Sequence, residues 1–240
     1  MSQTENAKND MLNKCIEYCK ESQKQLRKTE EFRQAYNAND AIRWYTDESF
    51  LYQRVNRALR SEDIDELYTY RFYIIDLCTQ LSKEYQQNLN KHQMLKLYRG
   101  QLMSNEELEK LRNNIGNLIS TNGFFSTTRD INVARLYITS NKKSVLFEID
   151  ADPQLKHVVL ADIQKFSLIP DEPEVLFSIG AVFEIKNVYF DEQFHLWKIC
   201  LTTSEEGQES IKQYTDIQKK ELGIRTVHII YGRLLIRVGA

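Results

Sequence analysis

Apolar residues in the first third of the chain recur at three- and four-residue steps, the spacing of one face of an α-helix. Leu12, Cys15, Ile16, Cys19 and Leu26 follow it through Asn9–Tyr36. Phe50, Leu51, Val55 and Leu59 follow it over Glu48–Arg60. Ser61 is placed to cap the next helix, whose stripe is Ile64, Leu67, Tyr68, Phe72, Ile75, Cys78 and Leu81. Such stripes are core, and they carry no chemistry.

After Asn90 the texture changes. Leu95–Tyr98 reads as a short strand ending at Arg99-Gly100, and Ser104 with Glu107 makes a capping box for a helix to about Asn113. Leu118–Thr121, Asn122-Gly123 and Phe124–Thr127 read as strand, tight turn, strand. A short helix is expected over Asp130–Ile138. Strands are expected over Ser144–Ile149, His157–Ala161, Glu174–Phe177, Ala181–Phe190 and Phe194–Thr202, with Asp191-Glu192-Gln193 turning between the last two. In the tail, Val227, Ile230, Tyr231, Leu234, Leu235 and Val238 return to helical steps. Tyr231–Gly239 resembles the opening helix of a tetratricopeptide repeat. Helices followed by many short strands, without βαβ alternation, imply an α+β fold. The division expected is a helical region over 1–90, a β core over 91–203 and a helical tail over 204–240.

Composition narrows the function classes. A chain of 240 residues with 42% hydrophobic and 28% charged residues can build its core without staples. Net charge is −2, which argues against a general binder of nucleic acid or anionic membrane, so an anionic ligand must be held by a local group of donors. No apolar run approaches the ~20 residues of a membrane span. Residues 1–10 lack the apolar stretch of a secretory signal, and the cysteines, at 15, 19, 78 and 200, read as reduced thiols. A cytoplasmic location without a bound metal is the expectation. The four histidines are scattered, with no Ser-His-Asp arrangement, zinc spacing or Gly-rich phosphate loop.

Three separated segments stand out: Leu97-Tyr98-Arg99-Gly100, Phe125-Ser126-Thr127-Thr128 and Glu172-Pro173-Glu174. Each alone has a bland reading: a surface arginine, β-propensity, a solvated acidic face. In Asp171-Glu172-Pro173-Glu174, however, three carboxylates crowd four positions, and that density costs stability through like-charge repulsion, which suggests a site.

Order and combination carry the case. A basic residue ending a strand, then a Ser-Thr strand, then Glu-x-Glu resembles the R-S-E class of ADP-ribosyltransferases, and the chain is similar to its arginine-specific members. Ala41–Thr46 and Val55–Arg60 are similar to the helical lead-in of the animal enzymes. The resemblance implies two short antiparallel sheets packed at a steep angle, with NAD in the cleft between them. Arg99 would contact the NAD phosphates, since a planar fork of donors matches phosphate oxygens. Gly100 would offer backbone groups to the nicotinamide amide. Ser126 would orient Glu174 by hydrogen bonding, with Thr127 beside it in the cofactor site. Tyr137 falls near the family's nicotinamide-stacking aromatic, or is simply core.

Cleavage of NAD between ribose and nicotinamide expels a neutral leaving group, so the resemblance assigns Glu174 to stabilising the ribosyl cation. Glu172 would hold and deprotonate an arginine guanidinium, which is otherwise protonated and a poor nucleophile. Asp162–Asp171 corresponds to the family's substrate-recognition loop, where Phe166 either touches the protein target or anchors the loop. Two departures are evident. Thr128 stands where a serine is usual, and Pro173 cannot donate to a ladder, so its strand is expected at an edge or after a bulge. The expected function is transfer of ADP-ribose from NAD to an exposed arginine of a protein substrate. The alternatives are an NAD glycohydrolase and a catalytically silent module.

Overall fold

The computed structural model describes residues 5–47, 50–61, 63–88, 93–138, 144–167 and 173–206. The tail expected over 204–240 thus lies almost wholly outside the described residues. Two compact units are present: one holds the residues up to Lys83 together with Phe166 and Ser167, the other runs from Glu84 to Lys165 and resumes at Pro173.

The first unit is helical, with α1 at Glu5–Tyr18, α2 at Gln23–Ala35, α3 at Ala41–Thr46 and α4 at Phe50–Ser61. The fifth helix, α5, spans Ile64–Asn88 and so continues past Lys83. The single helix expected through Asn9–Tyr36 is two. Ser22 adopts extended backbone and its hydroxyl takes the Gln25 N–H, which starts a new helix rather than continuing the old one. The cap at α5 also moves, from Ser61 to Asp63. The Asp63 carboxylate accepts the N–H groups of Asp65 at 2.9 Å and Glu66 at 3.1 Å, satisfying two orphan donors of the first turn. The core is aromatic: Phe32 stacks on Tyr36 at 4.1 Å and meets Trp44 edge-on at 5.0 Å.

The second unit holds β1 (Leu95–Leu102), β2 (Leu118–Ser120), β3 (Phe125–Thr128), β4 (Ser144–Ala151), β5 (Leu160–Asp162), β6 (Glu174–Phe177), β7 (Val182–Asp191) and β8 (Leu196–Thr203). Helix α6 (Asn105–Arg112) starts at the Ser104–Glu107 capping box, and α7 (Ile131–Leu136) is capped by Asp130. Together the two units make the α+β fold the sequence implies.

Two refinements concern the sheet. Hydrogen bonding is continuous in the order β2-β7-β8-β4-β1-β3-β6-β5, and β4–β8 is parallel where only antiparallel pairs were expected. The series nevertheless folds into facing layers. β6 and β7 stand five places apart, a separation of roughly 24 Å in a flat sheet. Yet Phe177 and Phe183 meet edge-on at 5.2 Å, and Phe125 touches both. The fold occurs where pairing is thinnest, since β1 and β3 share the single register pair Tyr98↔Thr128. The facing layers bury Leu97, Val145, Ile149, Val175, Ile185 and Ile199 around those rings.

Asn122-Gly123 does not close a hairpin. β2 pairs with β7 and β3 with β1 and β6, so the turn carries the chain from one layer to the other. The strand expected over His157–Ala161 begins later, at Leu160, because Lys156 and His157 lie in a turn. Pro173 precedes β6, which is an interior strand and not an edge. Its missing N–H is therefore no loss to the ladder.

Candidate active site

Register brings Ser126 and Glu174 together. Thr128 pairs with Glu174 and Ser126 with Leu176, so Ser126 and Glu174 are diagonal neighbours on one face of β3–β6. The Ser126 hydroxyl donates to Glu174 Oε1 at 2.6 Å, a length typical of a bond to an ionised carboxylate. Both residues are half-buried, at once shielded from bulk water and reachable from it.

Arg99 is tied to the same residue by a different atom. Its Nη1 donates to the Ser126 carbonyl at 2.7 Å, its Nε donates to Gln101 Oε1 at 3.0 Å, and its guanidinium lies 5.0 Å from the centre of the Phe125 ring. Ser126 thus links the cation and the carboxylate, one through its carbonyl and the other through its hydroxyl. Two partners of Arg99 were not foreseen. Gln101 was readable in principle, since residues two apart on a strand share a face. Phe125 was not, because its approach depends on the β1–β3 junction.

Gly100 has a packing reason beside the expected one. It is buried beneath α7, and a Cβ there would lie 2.0 Å from the Ala134 carbonyl oxygen and 2.7 Å from Ile138. Only glycine lets the helix sit this close to β1. Tyr137 follows that helix and is 58% exposed, so the core alternative for it does not hold.

Thr127, expected in the cofactor site, does not join the group. Its side chain alternates to the opposite face, is buried, and donates to the Val175 carbonyl at 2.7 Å. Thr128 is also buried, and its hydroxyl accepts the Asp130 N–H at 3.1 Å just before α7. Glu172 lies outside the described residues. Phe166 belongs with the helical unit, where its carbonyl accepts the Thr46 hydroxyl at 3.2 Å.

Among the described residues no cluster of three or more His, Cys, Asp or Glu side chains could hold a metal. No described helix is long and apolar enough to cross a membrane. None of the four cysteines is joined in a disulfide.

Solved structures similar to this chain include ADP-ribosyltransferases. HopU1 of Pseudomonas syringae pv. tomato aligns at a TM-score of 0.59 and 17% identity, over 84% of this chain and 98% of that one. The Vis toxin of Vibrio splendidus aligns at 0.54 and 21% identity, over 85% and 87%. The Clostridium limosum C3 exoenzyme aligns at 0.54 and 13% identity, over 71% and 86%. At these identities the likeness establishes the fold. No curated protein matches the sequence. The family model described as "ART: NAD:arginine ADP-ribosyltransferase" matches residues 1–209, across both units and through all three segments that carry the resemblance, and the chain belongs to that family.

Proposed function

We propose that this NAD-dependent ADP-ribosyltransferase transfers ADP-ribose to arginine side chains of a protein substrate. The observation that carries the reading is the Ser126–Glu174 hydrogen bond, with the Arg99 guanidinium fixed to the Ser126 carbonyl. This donor set fits NAD as a substrate. A guanidinium pre-oriented by Gln101 and Ser126 suits a pyrophosphate, and an oriented carboxylate suits a ribose that gains positive charge. Tyr137, 58% exposed, is an aromatic side chain of the kind that stacks on nicotinamide.

NAD supplies the ribose–nicotinamide bond, and nicotinamide leaves as a neutral molecule with that bond's electron pair. No general acid is needed, unlike ordinary glycoside hydrolysis. Glu174 acts through its charge, stabilising the cation that grows at the ribose carbon. Ser126 orients Glu174 and does not react. Glu172 receives the proton that the guanidinium nitrogen gives up as its bond to the ribose carbon forms. The two-residue spacing supports this role, because positions i and i+2 of an extended chain share a face.

Incubation with NAD and agmatine, a guanidino compound, tests the reading by mass spectrometry. The expected product is ADP-ribosyl-agmatine. Free ADP-ribose alone would make the chain a glycohydrolase, and unchanged NAD would make it a silent module.

A further inference from the structure

Helix α7 has six residues, and a helix that short takes its place from what it packs against. Ile131, Ala134 and Ile138, at helical steps, form one cluster with Tyr98, Leu146 and Leu196 of the sheet. A helix seated on one narrow stripe can roll about its axis unless something off the stripe holds it. At about 100° per residue, Arg135 and Tyr137 fall on opposite flanks of that stripe, so a roll that lifts one lowers the other. The same roll would change how the Ala134 carbonyl and Ile138 press on Gly100.

One contact off the stripe is present. The Arg135 guanidinium lies 4.3 Å from the centre of the Phe194 ring. Arg135 Nε is buried and has no hydrogen-bond partner among the described residues, so the negative face of the ring offsets part of its lost solvation. Phe194 follows β7, in the turn that leads into β8, and that turn is itself held. One oxygen of the Asp191 carboxylate accepts the Gln193 N–H at 3.0 Å and the Phe194 N–H at 3.2 Å. The other lies 3.0 Å from Lys198 Nζ, which is also 3.3 Å from Glu148 Oε1 and 5.5 Å from the centre of the Phe194 ring. The Lys198, Glu148 and Asp191 side chains are 14%, 18% and 15% exposed, so solvent screens these charges less than it screens surface pairs. The β7–β8 ladder ends at Asp191↔Leu196, so Phe194 adds nothing to strand pairing.

We propose that Phe194 is a positioning residue: held by Asp191 and Lys198, its ring fixes α7 through Arg135 and so shapes the nicotinamide end of the site at Gly100 and Tyr137. This rests on the nicotinamide-stacking role proposed for Tyr137 above.

Phe194→Leu and Phe194→Tyr separate the ring from its bulk. Calorimetry with NAD and with ADP-ribose, which lacks nicotinamide, locates the effect. Phe194→Leu is expected to weaken NAD binding about fivefold, the scale of one half-shielded cation–π contact, with ADP-ribose binding and melting temperature near the parent values. Phe194→Tyr keeps the ring face and should bind NAD as the parent does. Arg135→Met should match Phe194→Leu, and the two together should lose no more than either alone, because they break one contact. Unchanged NAD affinity in Phe194→Leu, an equal loss for ADP-ribose, or losses that add would overturn the proposal. Tyr137→Ala judges the underlying reading by itself: unaltered NAD affinity there would remove Tyr137 from the nicotinamide end, whatever Phe194→Leu does.

Discussion

Three hydroxyl–carboxylate pairs of similar length sit in three different surroundings. In the helical unit the Tyr36 hydroxyl donates to Asp76 at 2.7 Å, and Asp76 is 5% exposed. In the β unit Ser126 donates to the half-buried Glu174 at 2.6 Å. At the start of α6 the Ser104 hydroxyl donates to the exposed Glu107 at 2.8 Å. Bond length does not distinguish these pairs, but burial does. A carboxylate sealed in the core can only hold the fold together. One open to water serves a helix end. A half-shielded carboxylate, joined through Ser126 to a fixed guanidinium, can act on a charge brought to it, because its field is neither fully screened by solvent nor closed off from a substrate.

Breaking each pair turns the comparison into measurements. Ser126→Ala is expected to give the largest effect, lowering NAD cleavage by about tenfold to a hundredfold while the melting temperature stays near the parent value. A loss of folding with intact specific activity would put Ser126 in the same class as Tyr36. Tyr36→Phe should show the reverse. It withdraws a donor from a buried carboxylate, costing about 1–3 kcal/mol in denaturant unfolding, with activity per folded molecule unchanged. Burial first, then the Asp76 bond and charge, push the Tyr36 phenol well above its usual range.

Ser104→Ala is the smallest, at about 1 kcal/mol for a lost helix cap. Its pH dependence has a definite sign. The Ser104 hydroxyl, then its backbone N–H, hold the Glu107 carboxyl below its ordinary value of 4.5. A depressed folded-state value means the stabilisation is complete above that ordinary value and is lost as pH falls through the folded one. The stability gap between the parent and Ser104→Ala should therefore narrow on acidification. A gap that widened in acid would remove the charge from the account.

Local features proved legible in the sequence, and features that depend on distant pairing did not. The Ser104–Glu107 box and the Glu174–Phe177 strand stand where the pattern placed them, because each is specified by neighbouring residues. The break at Ser22 was hidden because the apolar spacing runs across it while its cap is a single polar side chain. Asn122-Gly123 is a true turn signal, but a turn does not say which strands it joins, and here they lie in different layers. Arg99, Ser126 and Glu174 were recognisable as types in a given order. That Ser126 joins the other two through both its carbonyl and its hydroxyl follows only from register. Thr127 illustrates the limit: one step along the strand from Ser126, it faces the core.

The division of labour between the two glutamates tests the central claim most directly. Nicotinamide release and ADP-ribosyl-agmatine formation should be followed together for Glu174→Gln and Glu172→Gln, with folding checked by thermal melts. Glu174→Gln keeps the shape and removes the charge that stabilises the ribosyl cation, so both activities should fall by about two orders of magnitude or more, as losing a preorganised electrostatic partner costs ~3–4 kcal/mol. Glu172→Gln should abolish transfer and leave appreciable hydrolysis, because water attacking an already electrophilic carbon needs no such base. Equal loss of both activities in Glu172→Gln, or survival of either in Glu174→Gln, would contradict the account.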